Sequence, residues 1–126
     1  MINWKVLLVD DEKDFVLTLA ERLGLRGIEV ITAFDGEGAL QILKNCRPDV
    51  MILDLMMPGM SGSVVLEKVK KLYPGLQVII LTGMGSTPEG TTGVDLCAFE
   101  YLSKPVKIDD LIDKIGRAIK KGSAVN

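Results

Sequence analysis

The sequence predicts one α/β domain built on a parallel sheet with helices on both faces. Short apolar runs and longer amphipathic segments alternate five times along 126 residues. Two of the runs, residues 6–9 and 50–53, are continuously apolar, which is typical of strands buried on both faces of a parallel sheet. Short connections between most elements indicate right-handed crossovers that place helices on each face.

The composition agrees with one ordinary core and excludes several classes of protein. With 48% apolar and 25% charged residues, the chain is neither disordered nor long enough for a second core. A net charge of −2 without a dense Lys/Arg face argues against direct nucleic-acid binding. No apolar run approaches the roughly 20 residues of a membrane span. Residues 1–5 lead straight into a strand rather than forming a signal peptide. We therefore expect a cytoplasmic protein that does not contact the membrane.

The domain is expected to cover residues 3–121, with residues 122–126 as a frayed tail. Cys46 and Cys97 match no metal-binding spacing and are expected to be reduced thiols. The chain has no histidine, which removes the commonest general base and the commonest transition-metal ligand. Any chemistry must therefore use carboxylates, lysines, hydroxyl groups and a hard cation.

The individual elements follow from local patterns. The predicted strands are residues 5–9, 29–33, 50–53, 77–81 and 99–102. The four predicted helices end near Leu25, Asn45, Tyr73 and Lys121, and Asp11 is expected to cap the first of them. The third helix is expected to bury an apolar stripe made of Val65, Leu66, Val69 and Leu72.

Polar residues stand at the carboxyl ends of four predicted strands: Asp10 and Asp11, Asp54, Thr82, and Lys104. Each alone has an ordinary explanation as a turn, cap or loop residue. Because the carboxyl ends of parallel strands share one edge of the sheet, where such sheets place their ligands, we expect the residues to form one site. Three carboxylates gathered there repel one another, so a cation must be held with them. An all-oxygen cluster suits Mg²⁺ better than Zn²⁺, and a backbone carbonyl after Asp54 is a further candidate ligand.

Asp54 is interpreted as the acceptor of a phosphoryl group. An aspartate with an ordinary pKa of about 3.9 is ionised at neutral pH and can attack phosphorus once the charge repulsion is cancelled. Mg²⁺ and Lys104 would cancel it. Phosphoryl transfer depends on positioning and charge stabilisation more than on acid–base chemistry, so the absence of histidine is no obstacle.

The chain resembles the receiver domains of two-component response regulators over essentially its whole length. Four segments carry the resemblance, in the family's order and spacing: Val9-Asp10-Asp11-Glu12, Asp54-Leu55-Met56-Met57-Pro58-Gly59-Met60-Ser61-Gly62, Leu81-Thr82-Gly83 and Tyr101-Leu102-Ser103-Lys104-Pro105. The resemblance implies a flavodoxin-like (βα)5 doubly wound sheet with strand order 2-1-3-4-5. It also implies a phosphoacceptor signalling domain rather than an enzyme, with only self-catalysed phosphotransfer and slow autodephosphorylation.

The resemblance further implies a set of site residues. Asp54 would receive its phosphoryl group from a sensor histidine kinase or a histidine phosphotransfer protein. Asp10, Asp11 and Asp54 would bind Mg²⁺ together with the backbone carbonyl of Met56.

Three residues would respond to the phosphoryl group. Lys104 would pair with it, Thr82 would hydrogen-bond to it, and Tyr101 would be the aromatic residue that switches position. The peptide bond between Lys104 and Pro105 would be cis.

Two features qualify these expectations. Residues 83–97 lie where a helix belongs but hold several glycines, each costing roughly 1 kcal/mol of helix propensity relative to alanine. We expect this stretch to be short, mobile or partly unwound, and to order on phosphorylation or partner binding. Met56 and Met84 each follow a site residue by two positions. Their flexible apolar side chains either pack the loops or keep water from the acyl phosphate.

Several other readings stay open from the residues. A flavin-binding module of the same topology would need a phosphate-binding loop after the first strand, where this chain has acidic residues. A phosphohydrolase with an aspartyl nucleophile would carry Asp-x-Asp there, and no P-loop motif occurs. The remaining alternatives are an interaction module of the same fold that is not phosphorylated, and a receiver fragment of a larger hybrid kinase or transcription regulator.

Overall fold

A five-stranded parallel sheet organises the molecule, in the order β2-β1-β3-β4-β5. The structure is a computed structural model that describes residues 3–83 and 98–125. The strands are β1 (Lys5–Val9), β2 (Glu29–Ala33), β3 (Val50–Leu53), β4 (Gln77–Thr82) and β5 (Glu100–Ser103). The helices within the described ranges are α1 (Lys13–Leu25), α2 (Gly36–Asn45), α3 (Gly62–Leu72) and α4 (Ile108–Val125). The predicted doubly wound α/β class and strand order are confirmed.

Two apolar clusters, one on each face of the sheet, hold these elements together. One joins α2 and α3 to the sheet, and the other joins α1 and α4 to it. Every residue of β3 and all but the first of β1 are buried, which explains their continuous apolar sequences. These two central strands pair directly, with Val9 opposite Leu53. The residues that follow them therefore leave the sheet side by side.

The structure corrects the predicted start of the first helix. Asp11 does not cap α1, because the N-cap residue is Glu12, and the Glu12 side chain makes no capping hydrogen bond. Asp35 and Ser61, by contrast, cap α2 and α3 in the ordinary way, accepting hydrogen bonds from the backbone N–H groups of Gly38 and Val64.

The third helix also departs from its predicted stripe. Leu72 is exposed rather than buried, and Tyr73, the C-cap residue, packs against the core instead. Tyr73, the fourth residue after Val69, takes the position on the apolar face that was predicted for Leu72, the third residue after it.

Smaller differences concern the end of the chain. Strand β5 is shifted by one residue from its predicted bounds, and α4 continues to Val125 rather than ending at Lys121. A Cβ at Gly122 would make only an ordinary van der Waals contact, 3.6 Å from Gln77 Cγ, so α4 does not need glycine there. The Lys104–Pro105 peptide bond is cis, as the resemblance implied.

Two expectations fall on residues that the structure does not describe. The predicted weak helix occupies residues 83–97, almost all of it outside the described ranges, and Cys97 lies there as well. Cys46, at the C-cap of α2, is a free thiol. Among the described helices, none is long and apolar enough to cross a membrane.

Candidate phosphoacceptor site

The carboxyl edge of the sheet brings two buried aspartates together. Asp10 follows β1 and Asp54 follows β3, and their backbone N–H groups donate to Ala33 O at 3.2 Å and Val9 O at 3.0 Å. The strand pairing therefore continues one residue past each strand end and fixes both backbones. Asp10 is 1% exposed and Asp54 is 3% exposed. Buried carboxylates of this kind need partners, because an ionised group is costly to remove from water.

Asp11 completes an acidic cluster with these two residues. Carboxylate oxygens of Asp10, Asp11 and Asp54 all lie within 4.8 Å of one another, and Asp11 is open to solvent. Carboxylate oxygens at this spacing, with one side facing water, fit a hard divalent cation that keeps part of its hydration shell. The donor set thus fits Mg²⁺ better than a metal that prefers nitrogen or sulfur ligands.

Lys104 is the cation that the fold itself supplies. It follows β5, its side chain is 12% exposed, and its Nζ lies 2.6 Å from Asp10 Oδ2. The same Nζ is 3.9 Å from Asp54 Oδ2, so Lys104 is paired with Asp10 and only near Asp54. Burial lowers the pKa of the Lys104 ammonium, but hydrogen bonds to Asp10 and Glu12 and the charges of Asp10 and Asp54 outweigh burial and raise it overall.

The electrostatics single out Asp54. Burial, then the neighbouring charge of Asp10, raise the pKa of Asp54 from 3.8 to about 6, against the opposing effects of the Met56 N–H and Lys104. The Met56 N–H donates to Asp54 Oδ1 at 3.2 Å and orients the carboxylate. A pKa of about 6 leaves the carboxylate ionised in most molecules at neutral pH, so it can act as a nucleophile.

A tight turn supports the loop that follows Asp54. Gly62, the first residue of α3, donates its N–H to Leu55 O at 3.1 Å. A Cβ at Gly62 would collide with the carbonyl oxygen of Asp54 and with Leu55 Cα. Only glycine allows the helix to approach the loop this closely.

The remaining predicted residues lie on the neighbouring strands β4 and β5. Thr82 is the last residue of β4, paired with Ser103 next to Lys104. Tyr101 is half-buried on the α3 side of the sheet, and its hydroxyl oxygen is buried. The roles assigned to Thr82, Tyr101 and the Met56 carbonyl stay predictions.

Lys104 also contacts two residues to which the sequence assigned no role in the site. Glu12 Oε1 lies 2.7 Å from Lys104 Nζ, and the Phe15 ring centre lies 4.4 Å from the same atom. Phe15 also packs against the apolar cluster that joins α1 to the sheet. The position of Glu12 directly after the strand-end aspartates was the available signal, since a side chain there can reach the same edge.

Comparison with known proteins agrees with this geometry. A profile of the response regulator receiver domain matches residues 6–116. The probable transcriptional regulator ycf27 of Guillardia theta is 38% identical over 93% of this chain and 46% of its own length. A receiver domain protein from Clostridium thermocellum is 36% identical, with a TM-score of 0.89 and coverage of 98% of this chain and 100% of that one.

A third relative was solved with a ligand. The response regulator protein TrrA of Thermotoga maritima, in complex with Mg²⁺–BeF, is 32% identical, with a TM-score of 0.83, over 92% of this chain and 99% of that one.

The chain belongs to the response regulator receiver domain family of two-component signalling systems. Such domains are signalling phosphoacceptors rather than conventional enzymes. The chain spans about half the length of the first curated relatives that it matches, 46% and 52% of them.

Proposed function

We propose that Asp54 accepts a phosphoryl group from a sensor histidine kinase or a histidine phosphotransfer protein in the cytoplasm. The observation that carries this proposal is the convergence of Asp10, Asp11 and Asp54 within 4.8 Å, with Lys104 beside them. Asp10, Asp11 and Asp54 would hold Mg²⁺, together with the backbone carbonyl of Met56. When bound, the ion would neutralise charge on the phosphoryl oxygens and on the cluster.

The transfer step uses the chain's own carboxylate. An oxygen of the Asp54 carboxylate attacks phosphorus, and a P–O bond forms as the P–N bond to the donor imidazole breaks, with the electron pair leaving on the imidazole. The Met56 N–H holds the carboxylate in orientation. Lys104, 3.9 Å away, is close enough to follow the negative charge that arrives on Asp54.

The phosphoryl group is large enough in charge to act as a switch. It adds about 1.5 to 2 negative charges, which Lys104 and Thr82 would bind. Charge-assisted hydrogen bonds supply about 1.5 to 3 kcal/mol each, and moving a surface from 1:99 to 99:1 needs roughly 5.5 kcal/mol. A few such bonds therefore suffice to move Tyr101 and change the surface for a downstream partner. The relatives named as transcriptional regulators favour a transcriptional output.

The phosphorylated state is proposed to decay slowly. The Met56 side chain, two residues beyond Asp54, is 67% exposed and carries no group that could orient an attacking water. Met56→Asn combined with Met84→Glu should accelerate dephosphorylation, measured by loss of the phosphoryl adduct over time. An unchanged rate would remove this part of the proposal.

The proposal is tested by intact-protein mass after incubation with acetyl phosphate and Mg²⁺. We expect one acid-stable, base-labile phosphoryl adduct, lost in Asp54→Ala and on chelation of Mg²⁺. Asp49→Ala is the matched control, because Asp49 is an exposed aspartate at the opposite edge of the sheet, and it should keep the adduct. No adduct with acetyl phosphate or a phosphohistidine donor would favour an interaction module of the same fold that is not phosphorylated.

A further inference from the structure

The start of α1 holds the ammonium group of Lys104 away from the acceptor. Lys104 Nζ is 2.6 Å from Asp10 Oδ2 and 2.7 Å from Glu12 Oε1, but 3.9 Å from Asp54 Oδ2. The Phe15 ring lies 4.4 Å from the same nitrogen, where it provides a cation–π contact. Two residues of one helix turn therefore favour a Lys104 position on the α1 side of the site.

The Glu12 side chain contacts Lys104 instead of capping α1. As the N-cap residue of α1 it makes no side-chain capping bond, and its carboxylate reaches 92 positions along the sequence to Lys104. The Glu12 side chain is 63% exposed, whereas Lys104 is 12% exposed. Because the Glu12 carboxylate is exposed, water can replace Lys104 as its partner. Breaking this ion pair therefore costs little free energy.

Asp10 and Glu12 differ in what would happen to them when a cation binds. Asp10 belongs to the cluster that fits Mg²⁺, so its charge would then be shared with the ion. Glu12 lies outside that cluster and would keep its full attraction for Lys104. The Glu12 contact therefore becomes the main restraint on Lys104 at the stage when phosphoryl transfer occurs.

We propose that Glu12 is a positioning residue that restrains Lys104 in the resting state and slows phosphoryl acceptance by Asp54. The phosphoryl group and Glu12 compete for the Lys104 ammonium. On phosphorylation the ammonium leaves Glu12 and binds the phosphoryl oxygens on Asp54. The cation–π contact of Phe15 with the same ammonium adds to the restraint on the α1 side. This inference rests on the proposed phosphoacceptor function of Asp54.

The test compares Glu12→Gln with two variants. Glu12→Asp keeps the charge but shortens the side chain, and Glu21→Gln removes a charge from an exposed position of α1 away from Lys104. Phosphorylation by acetyl phosphate is followed by mass at saturating Mg²⁺ for each variant, so that any change in ion affinity does not enter. We expect Glu12→Gln to react roughly three- to ten-fold faster, the range for one charge-assisted contact with an exposed partner. Glu12→Asp should lie between wild type and Glu12→Gln, and Glu21→Gln should match wild type.

A second measurement uses the metal-free protein and needs no phosphorylation. The ¹⁵N resonance of the Lys104 ammonium, identified by its absence in Lys104→Arg, reports on the hydrogen bonds of that group. We expect it to shift in Glu12→Gln and to stay unchanged in Glu21→Gln. A purely structural effect of Glu12 on α1 would change stability without moving this resonance.

The two measurements separate the possible failures. An unshifted Lys104 resonance in Glu12→Gln would overturn the proposed restraint. A Glu12→Gln phosphorylation rate equal to that of wild type would also overturn it. A rate below that of wild type would overturn it as well and would mean that Glu12 holds Lys104 in a productive position. If wild type forms no adduct at all, the phosphoacceptor function fails, while the resonance still decides whether Glu12 holds Lys104.

Discussion

The two edges of the sheet treat charge in opposite ways. At the amino edge, charged groups are exposed and individually partnered. Asp49 accepts the Lys5 N–H at 2.8 Å, and the Arg47 guanidinium lies 4.4 Å from the Tyr73 ring centre. At the carboxyl edge, two of three clustered carboxylates are buried, and the pKa of Asp54 is raised to about 6. The carboxyl edge therefore concentrates buried negative charge at a cost in stability, whereas the amino edge does not.

The apolar clusters on both faces allow the chain to tolerate this arrangement. β3 is buried at every residue and β1 at all but its first, and these two strands lead directly into Asp54 and Asp10. Apolar burial contributes about 25 cal/mol per Å², so a rigid core can hold like charges together at its edge.

The largest contrast concerns two glycines. Gly62→Ala forces a Cβ into the backbone at Asp54 and Leu55 and should destabilise the protein by roughly 2 to 4 kcal/mol. Gly75→Ala at the amino edge meets nothing within 4 Å and should be neutral or stabilising by up to about 1 kcal/mol. Urea unfolding of both variants measures the difference. Equal losses would show that the loop after Asp54 is not tightly packed.

Mg²⁺ should relieve the repulsion at the carboxyl edge. A ligand at 100 times its dissociation constant stabilises the native state by about 2.7 kcal/mol. We expect Mg²⁺ to raise the thermal midpoint of wild type by several degrees, with a much smaller rise in Asp11→Asn. Asp49→Asn should respond like wild type. A rise that survives in Asp11→Asn would contradict the assignment of the cluster as the Mg²⁺ site.

Asp54→Asn should stabilise the metal-free protein at neutral pH. The folded pKa of about 6 lies above the ordinary 3.8, so the folded state binds the proton more tightly than the unfolded chain. The contribution of Asp54 to the free energy of unfolding is therefore fully present below pH 3.8. It falls by roughly 1 to 3 kcal/mol as the pH rises through about 6. The variant lacks this loss, so its advantage should appear above about pH 6 and vanish near pH 4. Urea unfolding across this range measures it.

Asp49→Asn is the matched control for that measurement. Asp49 is exposed and an asparagine oxygen can still accept the Lys5 N–H, so its stability should stay within about 0.5 kcal/mol of wild type. If both variants gained equally, net charge rather than burial at Asp54 would be responsible.

The smallest effect is expected at an ordinary surface ion pair. Asp113 and Arg117, four residues apart on α4, are exposed, with Oδ2 and Nε 3.0 Å apart. Arg117→Gln should cost about 0.3 to 0.5 kcal/mol, and salt should reduce the cost further. A larger cost would show that exposed charges affect the stability of this protein as much as the charges at the carboxyl edge do.

The sequence was sufficient for elements whose pattern is local. The bounds of β1 and β3 were predicted to the residue because buried strands show continuous apolar runs, and those of β2 because it is rich in β-branched residues and ends before the Asp35-Gly36 turn. The cluster of Asp10, Asp11 and Asp54 was also predictable, since parallel strands bring their carboxyl ends together. In a parallel sheet, residues that directly follow different strands lie at the same edge, so their positions in the sequence are enough to predict that they are close in space.

What could not be predicted depends on contacts between distant residues. The side chain of Glu12 leaves its capping position because Lys104, 92 positions away, is a stronger partner than the local N–H groups. Leu72 was predicted to be buried because helical periodicity allows either the third or the fourth residue after Val69 on the apolar face, and in the structure the fourth, Tyr73, packs against the core. The raised pKa of Asp54 likewise needed burial and neighbouring charges that local sequence does not contain.

The most direct test of the central claim locates the phosphoryl group on the chain. Treating the phosphorylated protein with borohydride reduces an aspartyl phosphate to homoserine, which peptide sequencing by mass spectrometry can place. We expect homoserine at position 54 alone, and none in protein that was not phosphorylated. Homoserine at Asp10 or Asp11, or an adduct that yields no homoserine, would contradict the assignment of Asp54 as the acceptor.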